Sequence, residues 1–145
     1  MSTEENKQSV LRWRLEIWND RNLSVIDDLA APGYVGHLAG FREPVRGPDA
    51  LKRLFAGYLA AFDTHVTPEF LLAEGDLVAV HDKNWAKHSR DFQGLAPTGN
   101  EVIWSSTDIY RFVDGRVMEQ WFEANLTDMM NQLGVSHLTE SLARH

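Results

Sequence analysis

Two aspartates lie on strand faces that are otherwise built mainly from apolar and aromatic residues. Asp82 alternates with Val80 and Ala86, and Asp108 alternates with Tyr110. Side chains of a β-strand alternate between its two faces, so both carboxyl groups are predicted to point into the interior. A buried carboxylate needs a partner or keeps its proton, because an unpaired charge is costly to bury. Such a pair could supply a general acid and a general base near neutral pH.

The relative position of the two aspartates decides whether they act as a pair. If the loop between their strands closes symmetrically, Asp82 lies almost opposite Asp108 on the adjacent strand. Facing carboxyl groups about 5 Å apart at Cβ would not both ionise without cost, so one would keep a proton and a raised pKa. Alternatively, the aspartates form salt bridges with Arg or Lys, or are satisfied by Asn84, Ser106 or Gln120.

The same alternation predicts further pocket residues and a separate outer surface. The inward faces of 78–88, 102–112 and 116–124 supply the pocket candidates Asn84, His88, Trp104, Ser106, Gln120 and Phe122. The opposite faces carry Ile103, Ile109, Val117 and Trp121. An apolar patch on the outer surface of a sheet often marks a subunit contact. We therefore expect a homodimer.

Three helices and a run of strands are predicted to position these residues. Ser2 and Glu5 have the spacing of a capping box, which opens a helix that runs to about Asn19. A short helix over 23–29 follows, and a third helix begins at Pro48, a favoured first helical position. Helices followed by antiparallel strands indicate the α+β class. The predicted strands are 66–74, 76–88, 101–113 and 116–126, with a short helix after the last.

The composition limits the domain count and the classes of partner. At 145 residues we expect one domain over 1–135, followed by a tail over 136–145. The net charge of −7 argues against nucleic acid or an anionic membrane surface as a partner. The chain has no cysteine, which excludes disulfides and thiolate chemistry and fits a cytoplasmic location. No metal-binding, phosphate-binding or cofactor-binding motif is present, so no cofactor or metal is implied.

The chain resembles the SnoaL-like polyketide cyclases of the nuclear transport factor 2-like superfamily. A signature His-x(5)-Gly-x-x-Pro-Thr-Gly begins at His88 and ends at Gly99. The resemblance implies a cone-shaped α+β barrel, in which three helices pack on a curved, mostly antiparallel sheet around an apolar pocket. The similar segments are IWNDRNLSVIDDLAAPGYVGH, GPDALKRLFAGYLAAF, EGDLVAVHDKNWAKHSRDFQGLAPTGNEV and DIYRFVDGRVMEQWFEANLTDMMNQLGV.

The resemblance also implies roles for single residues. Phe122 stands where the family's well-known cyclases have an aspartate that acts as general acid/base. His88 would bind substrate or transfer a proton, or else would shape the loop 94–99. His37 is expected in the pocket, and Asn125 is expected to hydrogen-bond a ligand or the backbone. Some aromatic residues of the core are also expected to line the pocket, among them Trp18 and Tyr34.

These observations lead to two functional hypotheses and a weaker third. The first is cofactor-free acid/base chemistry of the cyclase or isomerase type on a small hydrophobic carbonyl compound. In this hypothesis Asp82 or Asp108 is the base, and a hydrogen-bond donor stabilises the enolate. The candidate donors are the catalytic residue His88, Asn84, Tyr34 and His37. The second is a noncatalytic small-molecule binding protein, because Phe122 removes the usual acid. The third is a dimerisation domain without a ligand.

Overall fold

Three of the four helices in the described residues begin at a side chain or proline ring that suits a first turn. The computed structural model describes residues 2–134, and the predicted tail 136–145 lies outside the described residues. Ser2 Oγ accepts a hydrogen bond from the N–H of Glu5 at 3.1 Å, which confirms the predicted capping box. Within residues 2–134 no helix is long and apolar enough to cross a membrane. The helices are α1 (Thr3–Trp18), α2 (Ser24–Leu29), α3 (Pro48–Ala61) and α4 (Leu126–Leu133).

The strands form one curved six-stranded sheet in the order β2-β1-β6-β5-β4-β3. All neighbouring strands are antiparallel except β1 and β6, which run parallel. This arrangement confirms the α+β class, although the sheet is not closed into a barrel. The strands are β1 (Ala30–Leu38), β2 (Val45–Arg46), β3 (Phe62–Glu74), β4 (Leu77–His88), β5 (Glu101–Val113) and β6 (Arg116–Ala124).

Strands β1 and β2 were not predicted from the sequence. Pro32 and Gly33 are typical of a turn, yet both lie inside β1. The pairing of β1 with β6 shifts register between Ala30 and Val35, so the proline lies in an irregular stretch of the ladder. Proline is tolerated at such a place because its missing N–H is not needed for a hydrogen bond.

The hydrophobic core lies between α1 and the inner face of the sheet. Val10, Trp13 and Ile17 are fully buried at helical spacing along α1. The Trp13 ring meets Tyr110 edge to face at 5.8 Å between centroids and stacks against Tyr34 at 6.1 Å. This packing places one face of α1 against the inner face of the sheet. Asp82 on β4 and Asp108 on β5 are buried at that face.

The inner faces of β4 and β5 are as the alternation predicts, but β6 differs at one point. Phe112 pairs with Val117 while Arg111 pairs with Glu119, so Met118 is an extra residue in a β-bulge. The bulge changes which side chains face inward. Val117, predicted on the outer surface, is therefore fully buried in the core.

The bulge can be tested with a matched pair of valines. Val117→Ala should lower the free energy of unfolding by about 1–3 kcal/mol, because it leaves a cavity in the core. Val113→Ala, at a side chain that is 41% exposed, should change it by no more than about 0.5 kcal/mol. Urea unfolding of both variants measures the difference, and equal losses would contradict the burial of Val117.

Candidate active site

A cavity of about 320 Å³ opens between the helices and the inner face of the sheet. Aromatic residues of α1 and α3 form one side, and strands β3 to β6 form the other. Residues of α4, of the loop after β4, and of the end of β1 with the loop that follows it complete the wall. The volume is at the lower end of that of small-molecule sites, and the wall is largely apolar, as is usual for such sites. The apolar lining includes Trp18, Phe55, Tyr58, Phe62, Val66, Val102, Trp104, Phe122, Leu126, Met129 and Met130.

A few polar side chains interrupt this lining, and several are contributed by neighbouring strands. Asn84 on β4 lies across from Trp104, and its Nδ2 donates to Ser106 Oγ at 2.9 Å. Asp108 lies on β5, the strand of Ser106, and Gln120 lies on the next strand, β6. The wall also includes Arg14 from α1, so the cavity combines an apolar volume with one cation and one carboxyl group.

Arg14 is buried between the two aspartates. Its Nε donates to Asp82 Oδ2 at 2.7 Å, and its Nη1 lies 3.8 Å from Asp108 Oδ2. Burial opposes the charge of the guanidinium, but Asp108 and Asp82 outweigh this effect and raise the pKa of Arg14. Among residues 2–134 the only hydrogen bond of its side chain is the one to Asp82. The terminal amino groups thus remain available to a ligand in the cavity.

Asp82 and Asp108 do not lie opposite each other on adjacent strands, contrary to the prediction. Asp82 pairs with Ser106 and Asp108 pairs with Val80, so the two aspartates are offset by two residues along the strands. The guanidinium of Arg14 lies between them, which makes a shared proton unnecessary. The alternative expectation of salt bridges therefore describes this site, and Asp82 is a buried anchor for Arg14 rather than a wall residue of the cavity.

Asp108 is the carboxyl group that lines the cavity. Its Oδ2 accepts from Gln120 Nε2 at 2.8 Å and, more weakly, from the Tyr110 hydroxyl at 3.4 Å. Its Oδ1 is buried without a hydrogen-bond partner in the described residues. Burial raises the pKa of Asp108, although Arg14 and Gln120 counteract part of the effect. The pKa therefore moves toward neutral pH, where a carboxyl group can accept or donate a proton.

His88 is fully buried at the end of β4 and does not line the cavity. Its Nδ1 accepts a hydrogen bond from the backbone N–H of Thr98 at 3.2 Å and lies 3.1 Å from Thr98 Oγ1. A ring nitrogen that accepts from an N–H carries no proton itself, so the neutral ring is protonated at Nε2. This geometry favours the structural alternative, in which His88 shapes the loop that ends at Gly99.

Three other predicted pocket residues also lie elsewhere. Tyr34 is fully buried behind the wall, where its hydroxyl donates to Gln120 Oε1 at 2.7 Å. Asn125 caps α4 by accepting from the N–H of Asp128 at 3.0 Å. His37 lies on the outer face of the sheet because it pairs with Trp121 on the unpredicted strand β1. The predicted residues that the structure brings together in the wall are Trp18, Asn84, Trp104, Ser106, Asp108, Gln120 and Phe122.

Arg14 is the main site residue that sequence reasoning did not assign to the pocket. A signal was present, since Arg14 is the polar exception on the apolar face of α1. Met129 and Met130 of α4 also line the wall, and nothing in their spacing indicated it. Their position depends on how α4 packs against β5, a contact between elements that no local pattern encodes.

Comparison with known proteins agrees with this architecture. A model of the SnoaL-like polyketide cyclase family matches residues 8–133. The chain belongs to this family. No match was found among curated proteins. Membership accounts for the observed fold, but it does not determine the reaction.

Three solved structures illustrate the similarity. AclR of Streptomyces galilaeus, a candidate hydroxylase, is 32% identical over 92% of this chain and 98% of its own, with a TM-score of 0.80. IdmH of Streptomyces antibioticus, a candidate polyketide cyclase, is 28% identical over 90% of this chain and 99% of its own, with a TM-score of 0.76. A candidate SnoaL-like polyketide cyclase of Jannaschia sp. CCS1 is 24% identical over 90% of this chain and 92% of its own, with a TM-score of 0.83, and shows the fold alone.

The raised pKa of Asp108 predicts a pH-dependent stability difference. The folded chain binds this proton more tightly than the unfolded chain, so the free energy of unfolding falls as the pH rises from about 4 through the raised pKa. Asp108→Asn has no such proton. The free energy of unfolding of the variant minus that of the parent should therefore increase over this range, by about 1.4 kcal/mol for each unit of pKa shift.

Urea unfolding at several pH values measures this difference. Asp20→Asn is the matched control, because Asp20 is exposed and the substitution removes the same charge. The increase with pH should be larger for Asp108→Asn than for Asp20→Asn. A constant or falling difference for Asp108→Asn would contradict a raised pKa for the buried carboxyl group.

Proposed function

We propose that this chain catalyses cofactor-free proton transfer beside the carbonyl group of a small, largely apolar compound, in a cyclase or isomerase reaction. The observation that carries the proposal is a buried carboxyl group, Asp108, in the wall of an apolar cavity. Its raised pKa makes it a stronger base than an exposed aspartate. Asp108 is thus proposed as the general base.

The position of Asp108 supports a relocated acid/base residue. Asp108 on β5 and Phe122 on β6 are directly paired, and both line the cavity. Side chains of paired residues on one face have Cβ atoms about 5 Å apart. A carboxyl group at Asp108 therefore reaches nearly the same part of the cavity as the family's usual acid would reach from the position of Phe122.

The proposed reaction begins when Asp108 removes a proton from the carbon next to the carbonyl group. The electron pair of the C–H bond forms the C=C bond of an enolate, and the carbonyl π pair moves to oxygen. Arg14 would donate a hydrogen bond to this oxygen and offset its negative charge in a site of low polarity. Asp108 then returns the proton to another carbon in an isomerisation, or to the new alkoxide after the enolate carbon attacks a second carbonyl group.

Noncatalytic binding is the second candidate function. Phe122 and the aromatic and methionine residues around it make a largely apolar volume, which could hold a ligand without turnover. The two functions differ in one measurable property, since only the enzyme exchanges a ligand proton with solvent. Both predict that a ligand raises the melting temperature.

The catalytic proposal predicts loss and rescue of α-proton exchange. Exchange for deuterium in a panel of 1,3-diketones and aromatic polyketide methyl esters is followed by NMR in D₂O. Asp108→Asn should slow the catalysed exchange by about 10²–10⁴-fold, as expected for loss of a general base. Adding Phe122→Asp to this variant should restore part of the rate, because the carboxyl group returns to the same region of the cavity.

The control for rescue is Phe122→Asn in the Asp108→Asn background, which changes the volume without supplying a base. Stabilisation by a panel compound without any exchange would support the binding function and reject catalysis. Full exchange activity in Asp108→Asn would reject Asp108 as the base.

We also propose that the chain forms a homodimer through the outer face of the sheet. An apolar row crosses four strands, from Leu72 through Ala79 and Ile109 to Trp121. Leu72 is 65% exposed, and Ile103, further along β5 on the same face, is 66% exposed. Large apolar side chains that are exposed on one face of a sheet often mark a subunit contact. A second copy of the chain would cover this row.

The dimer proposal predicts that a charge on this face changes the oligomeric state. Ile109→Lys should shift the sedimentation coefficient from that of a dimer to that of a monomer, because burying an unpaired ammonium group is costly. Ala56→Lys, at an exposed position of α3 on the other side of the sheet, is the control and should leave the dimer intact. A monomeric parent chain would contradict the proposal directly.

A further inference from the structure

We propose that Tyr34 is a positioning residue for Asp108, because its hydroxyl group fixes the orientation of the Gln120 side-chain amide. The inference rests on the proposed role of Asp108 as the base. Tyr34 lies outside the cavity and acts on Asp108 through the side chain of Gln120.

A continuous chain of hydrogen bonds carries the proposal. The Tyr34 hydroxyl donates to Gln120 Oε1 at 2.7 Å, and Gln120 Nε2 donates to Asp108 Oδ2 at 2.8 Å. Tyr34 comes from β1, Gln120 from β6 and Asp108 from β5, so three adjacent strands contribute one residue each. All three side chains are at least 99% buried, which removes competition from water.

The direction of the first hydrogen bond follows from the surroundings of Tyr34. Within residues 2–134 the only hydrogen-bond partner of the Tyr34 hydroxyl is Gln120 Oε1. A buried hydroxyl proton without an acceptor is costly, and a carbonyl oxygen can only accept. Burial, reinforced by the charge of Asp108, raises the pKa of Tyr34, so the proton stays on the phenol at neutral pH. Tyr34 is therefore a permanent donor.

A permanent donor at Tyr34 determines how the amide of Gln120 is turned. With its oxygen toward Tyr34, Gln120 presents its N–H group to the carboxylate of Asp108. The flipped amide would leave the Tyr34 proton without an acceptor and would place the amide oxygen against the carboxylate oxygen. The observed orientation stabilises the ionised form of Asp108, which is the form that a general base requires.

Gly36 leaves the space that the Tyr34 hydroxyl occupies. A Cβ atom at Gly36 would overlap the hydroxyl oxygen and would lie 3.0 Å from Cζ of Tyr34. The contact is with a ring packed in the core, not with the free end of a flexible side chain. Gly36→Ala should therefore displace the hydroxyl from Gln120 while keeping the phenol, and it provides a second way to break the chain.

The test measures the titration of Asp108 directly. The carboxyl carbon of Asp108 is followed by ¹³C NMR across pH and is assigned by its absence in Asp108→Asn. Tyr34→Phe and Gly36→Ala should each raise the midpoint on the order of one pH unit, because the ionised form loses an oriented donor. Arg14, Asp82 and Tyr110 also face Asp108 and are unchanged in these variants.

Two matched controls accompany these variants. Tyr58→Phe removes a phenol hydroxyl that is not part of the chain of hydrogen bonds. Gly57→Ala adds a methyl group where no atom lies within 4 Å. Both should leave the Asp108 midpoint unchanged.

Each outcome decides the inference separately from the proposed function. A midpoint that is unchanged or lower in Tyr34→Phe overturns the role of Tyr34, whatever the activity. A raised midpoint without any catalysed α-proton exchange in the parent chain supports Tyr34 and rejects the proposed function. If neither variant folds, the parent chain still tests the inference: the Gln120 side-chain N–H shifts must follow the Asp108 midpoint, and their failure to do so overturns it.

Discussion

The buried guanidinium of Arg14 is the interaction on which the candidate site depends. It brings a helix, α1, into contact with carboxyl groups on two strands, β4 and β5. Moving each of these charges out of water costs on the order of several kcal/mol. Only close, hydrogen-bonded contact between the opposite charges offsets that cost. A well-packed apolar group would often serve stability equally well. The placement of such a costly group beside an apolar cavity is more easily explained by a role toward a ligand than by stability.

The two aspartates share this cation unequally, and the inequality gives each one a different role. Asp82 makes the short hydrogen bond and lies behind the wall, so it positions Arg14. Asp108 lies 3.8 Å from the guanidinium and lines the cavity, whereas Asp82 does not. Each aspartate keeps one oxygen without a partner in the described residues, and the other oxygen of Asp108 accepts from Gln120, which accepts in turn from Tyr34. A buried carboxyl group that is only partly compensated and that lines a cavity has the surroundings of a reactive group.

Periodicity in the sequence predicted which residues lie on the inner face of the sheet but not the register between neighbouring strands. Asp82 and Asp108 are buried as the alternation indicated, and the capping box at Ser2 opens α1. The two-residue offset between the aspartates was missed because the hairpin closes with Lys87 opposite Glu101. That register depends on the conformation of the loop, which no alternation pattern contains.

Other failures have the same physical origin. The contact of Arg14 with Asp82 spans 68 positions in the sequence, so only the packing of α1 on the sheet creates it. His37 was predicted to lie in the pocket but lies on the outer face of the sheet. Its strand, β1, was not predicted because Pro32 and Gly33 are typical of a turn. One extra residue at Met118 moved Val117 into the core. Local patterns thus recovered all elements except β1 and β2, while register, bulges and helix docking determined the site.

The pairing of Asp108 with Phe122 suggests how a family can keep its fold and vary its chemistry. A carboxyl group transferred between paired positions on β6 and β5 moves only about 5 Å and still faces the same cavity. Its neighbours change much more, because on β5 the carboxyl group lies near Arg14 and accepts from Gln120. When a cation lies beside the base, the cation can stabilise the negatively charged intermediate within the same apolar cavity. The transfer would therefore favour substrates whose charge develops on an oxygen close to the base, a constraint set by Arg14 rather than by the apolar part of the wall.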